Sequence, residues 1–528
     1  MPSLRELEAL SADQLDDLLG LRPKSDIPPA VRRSLTQVGI LDQAEGGFPS
    51  GSLAGQDGAL VRAALAGNKG PMVSRWGHVL LRRALASRLD APAGLGPADF
   101  AALRASLLVR MGEGDAARAL VQDVDAGGYS PALTQAAIDA YVFTADITGI
   151  CPVVAAQGGV RKDADWQVLR AICAAFQGEG ASAMAQLDRA DLQQKWPKID
   201  LLLAQKYAGA AGKARRAVKI EWDGVSALNP WRYALTIATG LEPPAALLED
   251  APVRYAYVAA AAPMLGLPAR AAGADRAAGA GIMSSEAMVD LYGQIYAQDD
   301  ISGPWATRAE QLRNSYVAQV PADRLTAIKQ LWDDAADPQQ RYSRQVLTAF
   351  AAARLPVQDS FSAAAPDLIT SMLSAGLDAN ALRWASQADV GSQAWALLTL
   401  AAPSRTNPVA GGSLDNFHSN DRSDAYRKSR FLLAGLAGLG RVDDATARDF
   451  AEKLEINLAR QTRWTRLIDA AADVNNPVLV SLLVGVGMQG DGWDKMTSVH
   501  LFHIVSALNR VGLGAEARMI AAEAVARG

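Results

Sequence analysis

Five times in this chain a glycine closes an apolar helical run and an alanine follows five positions later. The pairs are Gly112 and Ala117, Gly178 and Ala183, Gly209 and Ala214, Gly440 and Ala445, and Gly512 and Ala517. Four of them continue with a small or apolar residue four positions on: Val121, Leu187, Val218 and Ala521. Glycine takes the tight turn between two antiparallel helices, and alanine lets their backbones approach closely. This spacing limits the chain to helical hairpins that stack on one another. Alternation of β-branched residues is sparse, so strands are expected only incidentally.

The turns from Gly112 through Asp146 and Gly178 to Gly209 recur at roughly the 34-residue period of tetratricopeptide units, or slightly less. With the stretches Leu108 to Leu120 and Ala175 to Leu187, this makes the segment from about 100 to 220 resemble tetratricopeptide repeats. The family's early-helix Trp, Leu and Tyr positions and its unit-ending proline are mostly missing. The chain also broadly resembles, on composition, the uncharacterised Ala-rich helical-repeat proteins of GC-rich bacteria, a likeness that transfers no residue and no activity. The resemblance implies an all-α solenoid, a right-handed superhelix of antiparallel helix hairpins whose concave face holds a protein or peptide.

A 528-residue chain that is 50% hydrophobic and 20% charged can bury a large core, and a repeat array escapes the usual size limit of one domain. The formal net charge of −4 offers no basic face for nucleic acid. The densest basic runs, Arg82 with Arg83 and the stretch Lys213 to Arg216, read as solvated helix faces. No stretch approaches the roughly 18 apolar residues of a membrane helix. Residues 1–10 show neither a basic nor an apolar leader region, so the expectation from the written N-terminus is a cytoplasmic protein. A leader missing upstream would make it periplasmic.

Residues 1–58 read as an arm. A short amphipathic helix over 4–20 carries Leu4, Leu7, Leu10, Leu15 and Leu18 on one side, and a Pro- and Gly-rich passage follows. The hairpin array is expected over 59–402, with turns near Gly240, Gly266, Asp299 and Asp337. Residues 403–424 have two prolines, turn chemistry and no apolar period, and are expected to form a long loop. Helices return over 425–528, with the pair 499–511 and 515–526 expected to cap the array.

Catalytic constellations are scarce. His500 and His503, three apart on an expected helix, could share a metal ion, but no cysteine is near, and flanking Leu501, Phe502 and Ile504 give them the look of ordinary helix residues. No Gly-x-Ser-x-Gly elbow is present, and Gly209 to Lys213 lacks the spacing and hydroxyl of a phosphate loop. The C-terminal hundred residues continue the hairpin pattern without the lysozyme-like module that lytic transglycosylases append to their helical superhelices. Asp333, Asp334 and Asp337 resemble the aspartate-rich motif of isoprenoid synthases, which bridge Mg²⁺ to a diphosphate; the facing acidic motif those enzymes need has no well-spaced counterpart, the stretch Asp443 to Asp449 being the nearest. The expected function is therefore a non-catalytic scaffold for protein–protein interaction, with no cofactor and no metal. The alternative is an all-helical Mg²⁺-dependent enzyme using those three aspartates.

Two features bear on partners and compartment. Trp222, Trp231, Arg232 and Tyr233 concentrate residue types enriched at interface hot spots, and Phe417 in the 403–424 segment joins them as a candidate contact. Core packing is the competing role. Cys151 and Cys173 lie equally far from a turn centred near Lys162, so their sulfurs could bond if both face the seam between antiparallel helices. Otherwise they are small apolar residues filling a tight core. A bonded pair implies an oxidising compartment and Cα atoms roughly 5–7 Å apart.

Overall fold

A computed structural model describes residues 33–157, 161–192, 196–211 and 218–528. The expected helix at 4–20, the first part of the Pro- and Gly-rich passage up to residue 32, Gly158, Gly159, Ala214 and the basic run at 213–216 lie outside these residues. The fold is all-α, 68% helical, with twenty-eight α-helices among the described residues. The only strands among those residues are two-residue pieces, β1 (Gln37–Val38) and β2 (Leu89–Asp90), paired antiparallel. They tie the described part of the arm to the end of the second helix.

The helices follow in chain order. The first two are α1 (Gly58–Gly67) and α2 (Arg75–Ala86). A hairpin series comes next: α3 (Pro97–Met111), α4 (Gly114–Gln122), α5 (Pro131–Phe143), α6 (Cys151–Gln157), α7 (Ala164–Phe176), α8 (Gly180–Leu192) and α9 (Lys198–Gly209). Here α3 packs on α4 and α5, α4 on α5, and α7 on α8 and α9. A middle group holds α10 (Pro230–Ala238), α11 (Ala245–Glu249), α12 (Arg254–Ala261), α13 (Leu267–Ala280), α14 (Ser285–Tyr296), α15 (Pro304–Val317), α16 (Pro321–Asp333), α17 (Pro338–Leu347) and α18 (Ala349–Ala353). Then come α19 (Ala365–Ser374), α20 (Asp378–Leu382), α21 (Gln393–Ala401), α22 (Gly411–Asn420), α23 (Arg427–Gly438) and α24 (Asp444–Lys453). The series ends with α25 (Arg463–Asp473), α26 (Pro477–Gly487), α27 (Ser498–Arg510) and α28 (Gly514–Arg527).

The glycine–alanine spacing has the same physical cause in three of the five pairs. Gly112, Gly178, Gly440 and Gly512 all have positive φ. After each, the next residue's N–H reaches back to a carbonyl of the preceding helix: Glu113 to Leu108, Glu179 to Ala174, Arg441 to Leu436 and Leu513 to Leu508, at 2.8–2.9 Å. This is the Schellman closure, which satisfies orphan carbonyls at a helix end. Ala117, Ala183 and Ala517 are then fully buried where the next helix begins its return. Gly209 departs from the pattern: it ends α9 in helical geometry with Ala210 as cap. Ala445 departs too, being exposed. The turn assigned to Asp146 pivots one residue earlier, on Ala145 at φ 56°, and Asp146 N–H closes it onto the Tyr141 carbonyl.

Two expectations about the C-terminal third need correction. Residues 403–424 are not one long loop, because α22 occupies Gly411–Asn420. Its only apolar side chains, Leu414 and Phe417, are three apart and both buried, too few to register as a period in sequence. Nor does α28 cap an exposed end. Met519, Ile520, Ala521, Ala522, Ala524 and Val525 are all buried, and α28 touches α2, α19, α21, α23 and α27. It is a hub.

The chain also turns back on itself. α26 packs on α1 and α2, and α13 touches α2, so a single apolar cluster runs from Val38 to Val525. The junction is polar at its centre. The Glu523 carboxylate of α28 accepts the Ser74 hydroxyl (2.6 Å) and the N–H groups of Arg75 (2.9 Å) and Trp76 (3.2 Å) at the start of α2. The buried Arg75 side chain, pushed down in pKa by that burial, donates to the Ser374 carbonyl at the end of α19 and to the Ala278 and Met283 carbonyls around the end of α13. A helix N-terminus meets an anion and two helix C-termini meet a cation, each the favourable dipole pairing.

Candidate binding cleft

An apolar cleft of about 480 Å³ opens between α10, α11, α12 and α13. Its origin is a close approach. A Cβ placed at Gly273 in α13 would sit 2.4 Å from the Ala256 carbonyl oxygen of α12, so these two helices meet backbone to backbone. With alanines at 256, 259, 269 and 272 along the wall, little side-chain volume is left to fill the space toward α10 and α11. The Tyr233 and Tyr255 rings pack at a tilt, centroids 4.7 Å apart, along one side, and burial, the charge of Glu242 and the neighbouring Tyr255 push the Tyr233 phenol up to about 12. At the mouth, Leu248 and Val253 are 40% and 47% exposed. Glu242 and Glu249 line it, while Arg276 is held by Asp337 at 2.6 Å. The opening is thus apolar within and acidic at its rim, in the size range of ligand clefts.

The aromatic and arginine cluster that the sequence points to divides here. Tyr233 contributes to the cleft. Arg232 does not reach a partner surface: its Nε donates to Asp200 Oδ1 at 2.7 Å, and both residues are buried. Asn229 supplies the reason, capping α10 through the Arg232 N–H and donating to the same Asp200. Trp231 packs at a tilt against Trp196, ring centroids 5.4 Å apart, and Trp222 is half-buried against the core. Phe417 is buried under α22. Packing claims most of these residues, because a ring or guanidinium beside a turn covers the helix end next to it. Sequence reasoning missed Leu248 and Val253, whose only signal was an apolar residue on either side of the Glu249 and Asp250 turn.

The other candidates resolve into structure-building roles. Asp333 pairs with Arg341 (2.9 Å), Asp334 with Arg308 (2.6 Å) and Arg344 (3.2 Å), and Asp337 with Arg276 while also capping α17. Burial alone would raise these last two carboxyls. The Arg308 bond and the charges of Arg308 and Arg344 hold Asp334 below the usual range, and the Gln340 N–H and Arg276 do the same for Asp337. Each aspartate is spent on an arginine, a poor arrangement for bridging Mg²⁺ to a diphosphate. His500 bonds Thr497 (2.7 Å) and His503 bonds Asp469 (3.0 Å); among the described residues no group of three or more possible ligands is brought together.

Cys151 opens α6, Cys173 lies in α7, and the two are joined by a disulfide with Cα atoms 5.4 Å apart. Among the described residues no helix is long and apolar enough to cross a membrane. In comparisons with known proteins, no family model, no curated protein and no solved structure matches this chain.

Proposed function

We propose that the chain is a non-catalytic, tetratricopeptide-like helical scaffold that holds a protein segment in the α10–α13 cleft. The observation that carries this reading is the cleft itself: an apolar trough whose mouth keeps Leu248 and Val253 exposed beside Glu242 and Glu249. Its occupant is a short apolar segment flanked by basic residues, since the rim carboxylates complement positive charge. The hairpin packing of α3 to α9 supports the repeat reading, and the consumption of the acidic trio by arginines favours a scaffold over a metal-dependent enzyme.

Photo-crosslinking from position 253 in the native host tests it. A discrete adduct is expected from 253 and not from exposed Val474, and Leu248→Glu is expected to abolish it. Identical adducts from both positions, or none from 253, would defeat the proposal.

A further inference from the structure

The segment 403–408 after α21 has a use of its own. It lies across a second pocket of about 540 Å³, whose other walls are the turns at Gly440 and Gly512 and the start of α28. Val409 N–H anchors the segment to the Arg441 carbonyl at 2.8 Å. Three arginines line the pocket, Arg405, Arg441 and Arg518, together with Ser404, Thr406, Asn407 and Asn509; among the described residues no aspartate or glutamate lines it.

Like charges brought together this way repel unless something offsets them. Arg441 is buried and donates to carbonyl oxygens, those of Thr399, Leu400 and Ala402 at the end of α21. Burial, then the charges of Arg518 and Arg405, depress its pKa to about 10. Arg518 pairs with the Asp378 carboxylate at 3.0 Å and also reaches the Ala401 carbonyl. Exposed Arg405 makes only long contacts, to the Asn407 carbonyl at 3.4 Å and the Thr399 hydroxyl at 3.5 Å. With five N–H donors on each guanidinium, all three keep donors to spare.

Two more groups face the same space. Gly514 and Ala515 begin α28 and line the pocket, so the positive end of that helix dipole adds to the arginine field. Glycines at 440 and 512 keep side chains out of the opening, since a Cβ on either would meet no atom within 4 Å. The planar guanidinium fork suits tetrahedral oxyanions in bidentate contact. The volume leaves room for more than one oxyanion group.

We propose that this pocket binds the phosphate or diphosphate group of a small molecule, with Arg405 as the closing contact and Arg441 and Arg518 as the fixed floor. The site is separate from the α10–α13 cleft and does not depend on its function.

The test is calorimetric titration of the full chain with pyrophosphate, inorganic phosphate and citrate at matched ionic strength. Saturable pyrophosphate binding is expected, weakened about tenfold or more by Arg405→Ala and unchanged by Arg62→Ala, an exposed arginine on α1. Arg405 bonds too loosely to matter for folding, and an unchanged thermal midpoint for that variant confirms it. Absence of saturable pyrophosphate binding, or equal binding by wild type and Arg405→Ala, would overturn the proposal. Citrate binding tighter than pyrophosphate would assign the pocket to polycarboxylates and overturn the phosphate assignment.

Discussion

Single residues decide where the helices of this protein end. The Schellman closure needs a left-handed residue, and most such ends supply glycine, but Ala145, Glu455 and Asn475 take the same conformation at φ 50–56°. A left-handed conformation costs an L-residue with a Cβ roughly 1 kcal/mol that glycine does not incur. Glu455 is exposed, so Glu455→Gly is expected to stabilise the protein by about 1 kcal/mol. Gly178 sits at φ 96°, and a Cβ added there would meet nothing within 4 Å, so Gly178→Ala should cost a similar amount from backbone strain alone. Urea midpoints moving in opposite directions for the two variants would bear this out, and movement in the same direction would refute it. The glycine-closed turns are legible in sequence because glycine marks its own conformation. The turn at Ala145 carries no such mark, so the sequence points instead to Asp146 beside it.

Pairs of elements show where reading by period succeeds and fails. Counting outward from a turn puts Cys151 and Cys173 on facing helices, and antiparallel geometry does bring α6 and α7 level at that point. Closing the loop between them stabilises the fold by about 3 kcal/mol in the loop-entropy account. Cys151→Ala with Cys173→Ala is therefore expected to lower stability by about that much relative to the oxidised protein, and to match the wild type under reductant. Thiol titration of protein from its native host should find no free thiol; two would show that the bond does not form there. α22 escapes a sequence reading for the opposite reason. Only Leu414 and Phe417 face the core, and the rest of the helix is glycine, polar or charged, the same composition a loop would have. Its end is fixed by a carboxylate instead: Asp421 accepts the N–H and hydroxyl of both Ser423 and Ser429, all at 2.6–2.8 Å, bridging the end of α22 to the start of α23.

At the scale of the molecule, the local hairpins are readable from sequence and their closure is not. Period and turn chemistry describe neighbours, whereas the contact of α28 with α2 joins residues more than four hundred positions apart and leaves no periodic trace. The cleft is half-legible: Tyr233 stands out in the sequence, but the space it lines arises from Gly273 meeting Ala256, a tertiary event. The polar junction carries the closing prediction. Glu523→Ala strips the start of α2 of its anion and leaves buried donors unmatched, which is expected to cost about 3–5 kcal/mol. Glu516→Ala on the same helix removes only a partly exposed pair with Arg83 and should cost under about 1 kcal/mol. Thermal midpoints with hydrogen exchange at Arg75 and Trp76 check this: comparable losses in both variants would show that the junction does not hold the ends together.

That junction also sets an order of events during synthesis. A ribosome delivers the chain N-terminus first, and earlier units begin to fold as they emerge. Here Ser74 and Arg75 leave the exit tunnel more than four hundred residues before Glu523, the residue that they bind. Until then the apolar faces of α2, α19, α21 and α23 that α28 covers have no neighbour. Completion of the core thus waits on α28, and a chain lacking that helix carries an open seam for chaperones and proteases to find.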